Sequence, residues 1–122
     1  PNGPVTAIAE AAWQSDERIL AGNSVAAFTP HVMERYGPVI SILTFANCNV
    51  VETEEGLVMI DCGTKFAAPR IYETVREITK APIHTAIYTH GHVDHVMFNH
   101  TGFEEEAIKR GDVRTRVIAH EN

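Results

Sequence analysis

A chain of 122 residues is long enough for one domain but short for an enzyme with a large two-layer core, so it represents one domain or part of one. With 44% hydrophobic and 21% charged residues the composition is that of an ordinary globular, soluble chain, cytoplasmic or periplasmic, and no segment approaches the roughly 18 consecutive apolar residues of a membrane span. A formal net charge of -6 disfavours nucleic acid as the main partner, because phosphate binding rests on clustered positive charge.

Residues 1–36 read as an N-terminal extension or peripheral segment. The chain opens Pro1-Asn2-Gly3-Pro4 without an initiator Met, a basic n-region or an apolar h-region, which predicts a trimmed start or a fragment. A short helix is expected from Thr6 to Ala12, with Thr6 as its cap and Glu10 in support. Trp13 and Phe28 are expected to cover core edges. Gly22-Asn23, Thr29-Pro30 and Gly37-Pro38 predict loops and short pieces around His31 to Tyr36, with His31 a loop histidine.

Residues 37–122 carry the domain pattern. Val39 to Phe45 is rich in β-branched and aromatic residues and predicts a strand. A second strand, Asn49 to Thr53, turns through Glu54-Glu55-Gly56 into Leu57-Val58-Met59-Ile60, an apolar run that predicts a strand covered on both faces. Asp61 follows at that strand's carboxyl edge, where layered α/β proteins bind ligands; a turn or cap aspartate is the alternative. Cys48 and Cys62 show no C-x-x-C spacing. They read as buried free thiols, although a hairpin at Glu54-Glu55-Gly56 could set them opposite each other.

Phe66 to Lys80 predicts an amphipathic helix, with Ile71, Val75 and Ile78 on one face and Pro69 near its start. Ala81-Pro82 stops it, and Ile83 to Thr89 resumes a strand, giving a β-α-β order. His84 lies at the far end of that strand from the carboxyl edge and reads as solvated or core-edge. A helix from Phe103 to Arg110, stopped by Gly111, and a strand from Val113 to Ala119 complete the pattern. Lys109, Arg110, Arg114 and Arg116 read as a solvated face.

The densest chemistry lies in Thr89-His90-Gly91-His92-Val93-Asp94-His95. Imidazole nitrogen and carboxylate oxygen are the donors that suit zinc and its neighbours, and Gly91 lets the backbone turn tightly. On an extended strand end His90 and His92 point the same way. If a helix follows, Asp94 and His95 leave from its first turn and can face a second ion ~3.5–4 Å from the first. Paired ions of this kind activate a shared water and polarise the bond under attack. Among the later histidines, His100 reads as a loop residue and His120 as a strand-end residue near the site.

This stretch resembles the T-H-x-H-x-D-H signature of the metallo-β-lactamase superfamily. Gly56-Leu57-Val58-Met59-Ile60-Asp61-Cys62-Gly63 resembles its upstream strand ending in Asp-x-Gly. The resemblance covers residues 39 to 120 well and the first 36 poorly. It implies an α/β (α+β) fold, the N-terminal half of a four-layer αββα sandwich, incomplete in this chain. By position it implies that His90 and His92 bind one divalent ion and Asp94 and His95 a second, zinc foremost and iron or manganese as alternatives. Asp94 would be the catalytic residue, and Asp61 would brace the metal loop by hydrogen bonds. Asn49 to Thr53 and Val117 to Asn122 look most like the alkylsulfatase-like branch, whereas Val96-Met97-Phe98 depart from the glycines that many members carry after the motif.

The implied activity is hydrolysis of a small ester-like substrate, foremost a sulfate ester, by a metal-activated hydroxide. An iron-dependent oxidoreductase of the same superfamily and a noncatalytic fragment are the alternatives. The superfamily's remaining ligands lie further downstream, and after His95 this chain holds only His100 and His120 as imidazoles. The expectation is therefore an N-terminal portion whose partner is the missing C-terminal half of the domain, inactive alone, with homo-oligomer formation left open.

Overall fold

Six strands form a single mixed sheet in chain order, β1 (Val32–Tyr36), β2 (Val39–Leu43), β3 (Cys48–Thr53), β4 (Gly56–Ile60), β5 (Ile83–Ile87) and β6 (Arg116–Ile118). Among the described residues, helices α1 (Pro4–Trp13), α2 (Ala68–Ile78) and α3 (Phe103–Arg110) and a short 3-10 turn (Phe98–His100) complete the regular elements. This is a computed structural model, and it describes residues 3–15 and 32–121. Phe28, His31, the Gly22-Asn23 and Thr29-Pro30 turns and Asn122 lie outside the described residues. Among the described residues no helix is long and apolar enough to cross a membrane.

Strands β1 to β4 form an antiparallel meander, and β5 and β6 add in parallel. The change of direction follows from connection length: links of two, four and two residues join the antiparallel neighbours β1 to β4, whereas β4 to β5 and β5 to β6 each cross over through a helix. Gly56 starts β4 at φ +128°, and a Cβ there would stand 2.8 Å from the Pro82 carbonyl oxygen, so the hairpin and the approach of β5 both require glycine.

Alternation sorts the sheet's faces. Ile40 and Ile42 of β2, Cys48 and Val50 of β3, and Leu57 and Met59 of β4 are buried with Ala86, Ile71, Val75, Phe98 and Phe103 in one cluster. Helices α2 and α3 therefore cover this face. On the opposite face Val39, Leu43, Val51, Val58 and Ile60 are half-buried, so β4 is closed on one face and only partly on the other. The fold is mixed α/β as predicted, a helix-covered sheet consistent with one half of an αββα sandwich.

Several local expectations shift. Val32–Tyr36, within the stretch expected as loops and short pieces, is a full edge strand in register with β2; one flank is open, so its half-exposed residues show no clean alternation. Trp13 is 88% exposed and covers no core edge. Thr6 does not cap α1, which begins earlier, behind Gly3. Its backbone N–H and hydroxyl instead both donate to Glu34, each at 2.7 Å. Strand β2 stops at Leu43, α2 begins at Ala68 and β6 shrinks to three residues. The backbone bends at 44–46, and a turn at 65–67 precedes α2.

Helices α2 and α3 are locked together by one polar node. Arg76 Nε donates to Glu106 Oε2 at 2.9 Å, and the Tyr72 hydroxyl donates to Glu106 Oε1 at 3.0 Å. Arg76 Nη1 also donates to the Thr79 and Ala81 carbonyls at 3.1 and 2.9 Å, capping α2. Burial acts to raise the Glu106 carboxyl, but the hydrogen bonds from Arg76 and Tyr72, with the charge of Arg76, outweigh it and hold it below its ordinary value. Glu106→Gln is expected to destabilise the protein by about 1–3 kcal/mol at neutral pH. Because the folded-state pKa is depressed, the wild-type advantage is full above the unfolded glutamate value and fades as pH falls through the folded one. Thermal melts of the two proteins from about pH 7 to about pH 3 should therefore converge at the acid end.

Candidate metal centre

The site grows from the carboxyl ends of β4 and β5, neighbouring parallel strands that release their chains on the same side of the sheet. At the end of β4, Asp61 adopts φ +56°, a left-handed conformation that aspartate tolerates better than most residues. Gly63 follows at φ +66°, and a Cβ there would lie 2.7 Å from Ile71 Cδ1. This turn aims the Asp61 carboxylate across at the β5 exit, while its N–H donates to the Ile87 carbonyl at 2.9 Å.

The Asp61 carboxylate is buried and accepts three hydrogen bonds. Thr89 N–H donates to Oδ1 at 2.8 Å, the Thr89 hydroxyl to Oδ2 at 2.7 Å, and His95 Nδ1 to Oδ2 at 2.8 Å. Burial acts to raise this carboxyl, and the Thr89 and His95 hydrogen bonds overcome it, so its pKa is lowered and it remains ionised. A carboxylate only accepts, so His95 presents an Nδ1–H to Asp61 and turns Nε2 away from it. The Cys62 N–H adds a fourth stitch to the loop, donating to the His95 carbonyl at 3.1 Å.

The other motif residues gather around His95. His90 Nε2 and His92 Nδ1 stand 3.1 Å apart, the His90 and His95 rings have centroids 4.0 Å apart, and His95 Nε2 lies 3.6 Å from Asp94 Oδ2. One donor atom each from Asp61, His90 and His95 fits within 4.8 Å, a group that could hold a metal ion. His90 and His92 are exposed, and Asp94 and His95 half-buried. Strand β5 ends at Ile87, so a bend rather than strand alternation brings His90 and His92 together. Nor does a helix follow at once. His95 N–H closes a turn onto the His92 carbonyl at 3.0 Å, and the His95 carbonyl is taken by Cys62, so continuation is interrupted until a short 3-10 turn, Phe98–His100. Asp94 and His95 thus leave from a stitched turn.

His100 is exposed at the end of that 3-10 turn. His120 lines a cleft of about 290 Å³ with Tyr88, Thr89, His90, Gly91, Val96 and Ala119. Burial pushes the Tyr88 phenol up, keeping it protonated. A second cleft of about 250 Å³ is lined by Thr64, Lys65, Phe66, Val93, Asp94 and Met97. Local pattern does not mark Lys65, Phe66 or Met97 as site residues, because chain segments distant in sequence bring them together. His84 lies at the start of β5, half-buried, with Nδ1 2.9 Å from the Thr85 hydroxyl. Cys48 and Cys62 are buried free thiols, as predicted.

Residues 42–111 match the metallo-beta-lactamase superfamily. A linear primary-alkylsulfatase of a Pseudomonas sp. strain is 35% identical over 66 residues, which are 53% of this chain and 12% of that protein. The structure resembles that of a stereoselective inverting sec-alkylsulfatase from Pseudomonas sp., with TM-score 0.54 and 26% identity over 69% of this chain and 14% of the other. A double mutant of a sec-alkylsulfatase gives TM-score 0.52 and 27% identity over 67% and 14%. The chain therefore spans about an eighth of the length of the relatives it matches.

Two outcomes follow from the geometry. Asp61→Ala leaves the Thr89 N–H and His95 Nδ1–H without their acceptor and is expected to cost roughly 2–3 kcal/mol, read as a lowered urea midpoint. Burial pushes the Cys62 thiol up to about 12 and Cys48 well above its usual value. Both should resist iodoacetamide in the folded protein and react only after unfolding, as mass spectrometry of the alkylated chain would record.

Proposed function

The chain belongs to the metallo-beta-lactamase superfamily, and from that premise we propose that it forms part of a metal-dependent hydrolase acting on an ester-like bond, with a sulfate ester as its substrate class. The observation that carries this reading is the gathering of His90, His92, Asp94 and His95 at the joint exit of β4 and β5, in a chain similar to two alkylsulfatases.

The donor set fits a divalent ion. Two nitrogens each ~2.0–2.1 Å from one tetrahedral zinc stand roughly 3.3 Å apart, and His90 Nε2 and His92 Nδ1 are separated by 3.1 Å. In this reading His90 and His92 hold a first ion, and Asp94 with His95 Nε2 a second. Asp61, whose oxygens already accept from Thr89 and His95, orients His95 rather than binding metal. Zinc is the foremost ion, with iron or manganese as alternatives, and the remaining ligands would come from parts of the protein outside this chain.

When bound, such ions polarise the ester and lower the pKa of water toward neutrality. The chain's own residues hold and align the site. Asp94 is the proposed catalytic carboxylate, positioned to orient the attacking water and accept its proton. Asp61 holds His95 by its Nδ1 and so directs Nε2 toward Asp94 and the second ion's place. One water oxygen bonds to the ester as its C–O or S–O ester bond breaks, and the proton taken up by Asp94 leaves with the products, so that alcohol and hydrogensulfate depart.

The full-length protein should contain about two divalent ions per subunit by elemental analysis, release sulfate from alkyl sulfates, and lose that activity on chelation. His92→Ala is expected to lower metal content and reduce kcat/KM by at least ~10²-fold. Oxygen consumption without sulfate release would overturn the hydrolase in favour of an iron-dependent oxidoreductase.

A further inference from the structure

The cleft beside Asp94 has a composition that the metal chemistry does not explain. Phe66 is 82% exposed and Val93 64% exposed, and both face a cavity that Met97 also lines. Apolar side chains held out of the core at one concave place mark a surface for an apolar ligand. Here they are held firmly. Ala67 and Ala68 N–H groups both donate to the Thr64 carbonyl at 3.0 Å, and Ala67 N–H also lies 3.2 Å from the Thr64 hydroxyl, which fixes the turn carrying Phe66. Val93 sits in the turn closed by His95 N–H on the His92 carbonyl. Methionine supplies an adaptable third wall.

Charge refines the fit. Lys65 Nζ stands 5.2 Å from the centre of the Phe66 ring, putting a cation beside the aromatic wall. Asp94, a proposed metal ligand, lines the same cavity, so a chain lying against Phe66 occupies a cleft that the metal loop borders.

We propose that Phe66, Val93 and Met97 form the subsite for the hydrocarbon chain of an anionic amphiphile, with Lys65 favouring the anionic head and Asp94 marking the end where the ester lies. This rests on the hydrolase reading and deepens it: the site selects for hydrocarbon chain length, and Phe66 is its specificity-determining residue.

The test uses the full-length, metal-loaded protein with linear alkyl sulfates from butyl to dodecyl and the matching alkyl sulfonates, whose carbon–sulfur bond is not hydrolysed. In the wild type, kcat/KM for sulfates and affinity for sulfonates should both rise roughly two- to fourfold per added methylene until the cleft is filled. Phe66→Ala should flatten both series, losing about tenfold for the longest chain and progressively less as the chain shortens, while Phe66→Leu keeps most of the slope. Lys65→Met should weaken a long sulfonate several-fold and leave the matching neutral alcohol unchanged; equal loss for both would overturn the assignment of Lys65. A chain-length slope untouched by Phe66→Ala overturns the subsite. So does a lowered Tm in that variant with the slope retained, which would mean that another segment of the protein packs on Phe66. Sulfonate binding that lengthens and flattens as described, in a protein releasing no sulfate, would keep the subsite and overturn the hydrolase reading.

Discussion

The Asp61 carboxylate is the constraint on which the rest of the site depends. It sits at the end of β4, buried, and takes hydrogen bonds from the backbone and hydroxyl of Thr89 and from His95 Nδ1. A single ionised group thus ties the last residue before the histidines to the last histidine of the loop. Leaving that charge unpaired in a buried position would be costly, so the loop's most favourable path is the one that keeps all three donors on it. The remaining freedom of the loop is then confined to the residues between Thr89 and His95.

The sheet supplies what Asp61 needs. Because β4 and β5 are parallel neighbours, their carboxyl ends emerge together, and a side chain at the end of one reaches the loop that leaves the other. The crossover helix α2 makes the parallel pairing by burying Ile71 and Val75 on the sheet. Gly63 lets the chain pass under α2 immediately after Asp61, where a side chain would collide with Ile71. Further from the site, the Arg76–Glu106 node fixes α3 against α2 and so sets the approach of β6, whose following residues Ala119 and His120 wall the cleft at His90.

Most of the architecture was legible in the residues. The turn at Glu54-Glu55-Gly56, the apolar run Leu57 to Ile60, the Ile71/Val75 stripe and the Phe103 to Arg110 helix bounded by Gly111 each express a local period or a backbone requirement that few alternatives satisfy. The edge strand Val32–Tyr36 was not legible, because Glu34, Arg35 and Tyr36 are compatible with strand only when β2 is there to pair with them. The helix expected directly after the motif also failed for a nonlocal reason: the carbonyl it would have used belongs to Cys62, which is far away in sequence.

The sequence alone determined the donor chemistry, three imidazoles and a carboxylate in one short loop, and the β-α-β order that carries it to a sheet edge. Those depend on residue type and short spacing. Only the tertiary structure decided that Asp61 pairs with Thr89 and His95, which nitrogen of His95 faces away from Asp61, and that Phe66 and Met97 meet Val93 and Asp94 around one cleft. Such relations join segments separated by tens of residues, and only packing and hydrogen-bond satisfaction across the folded sheet can select them.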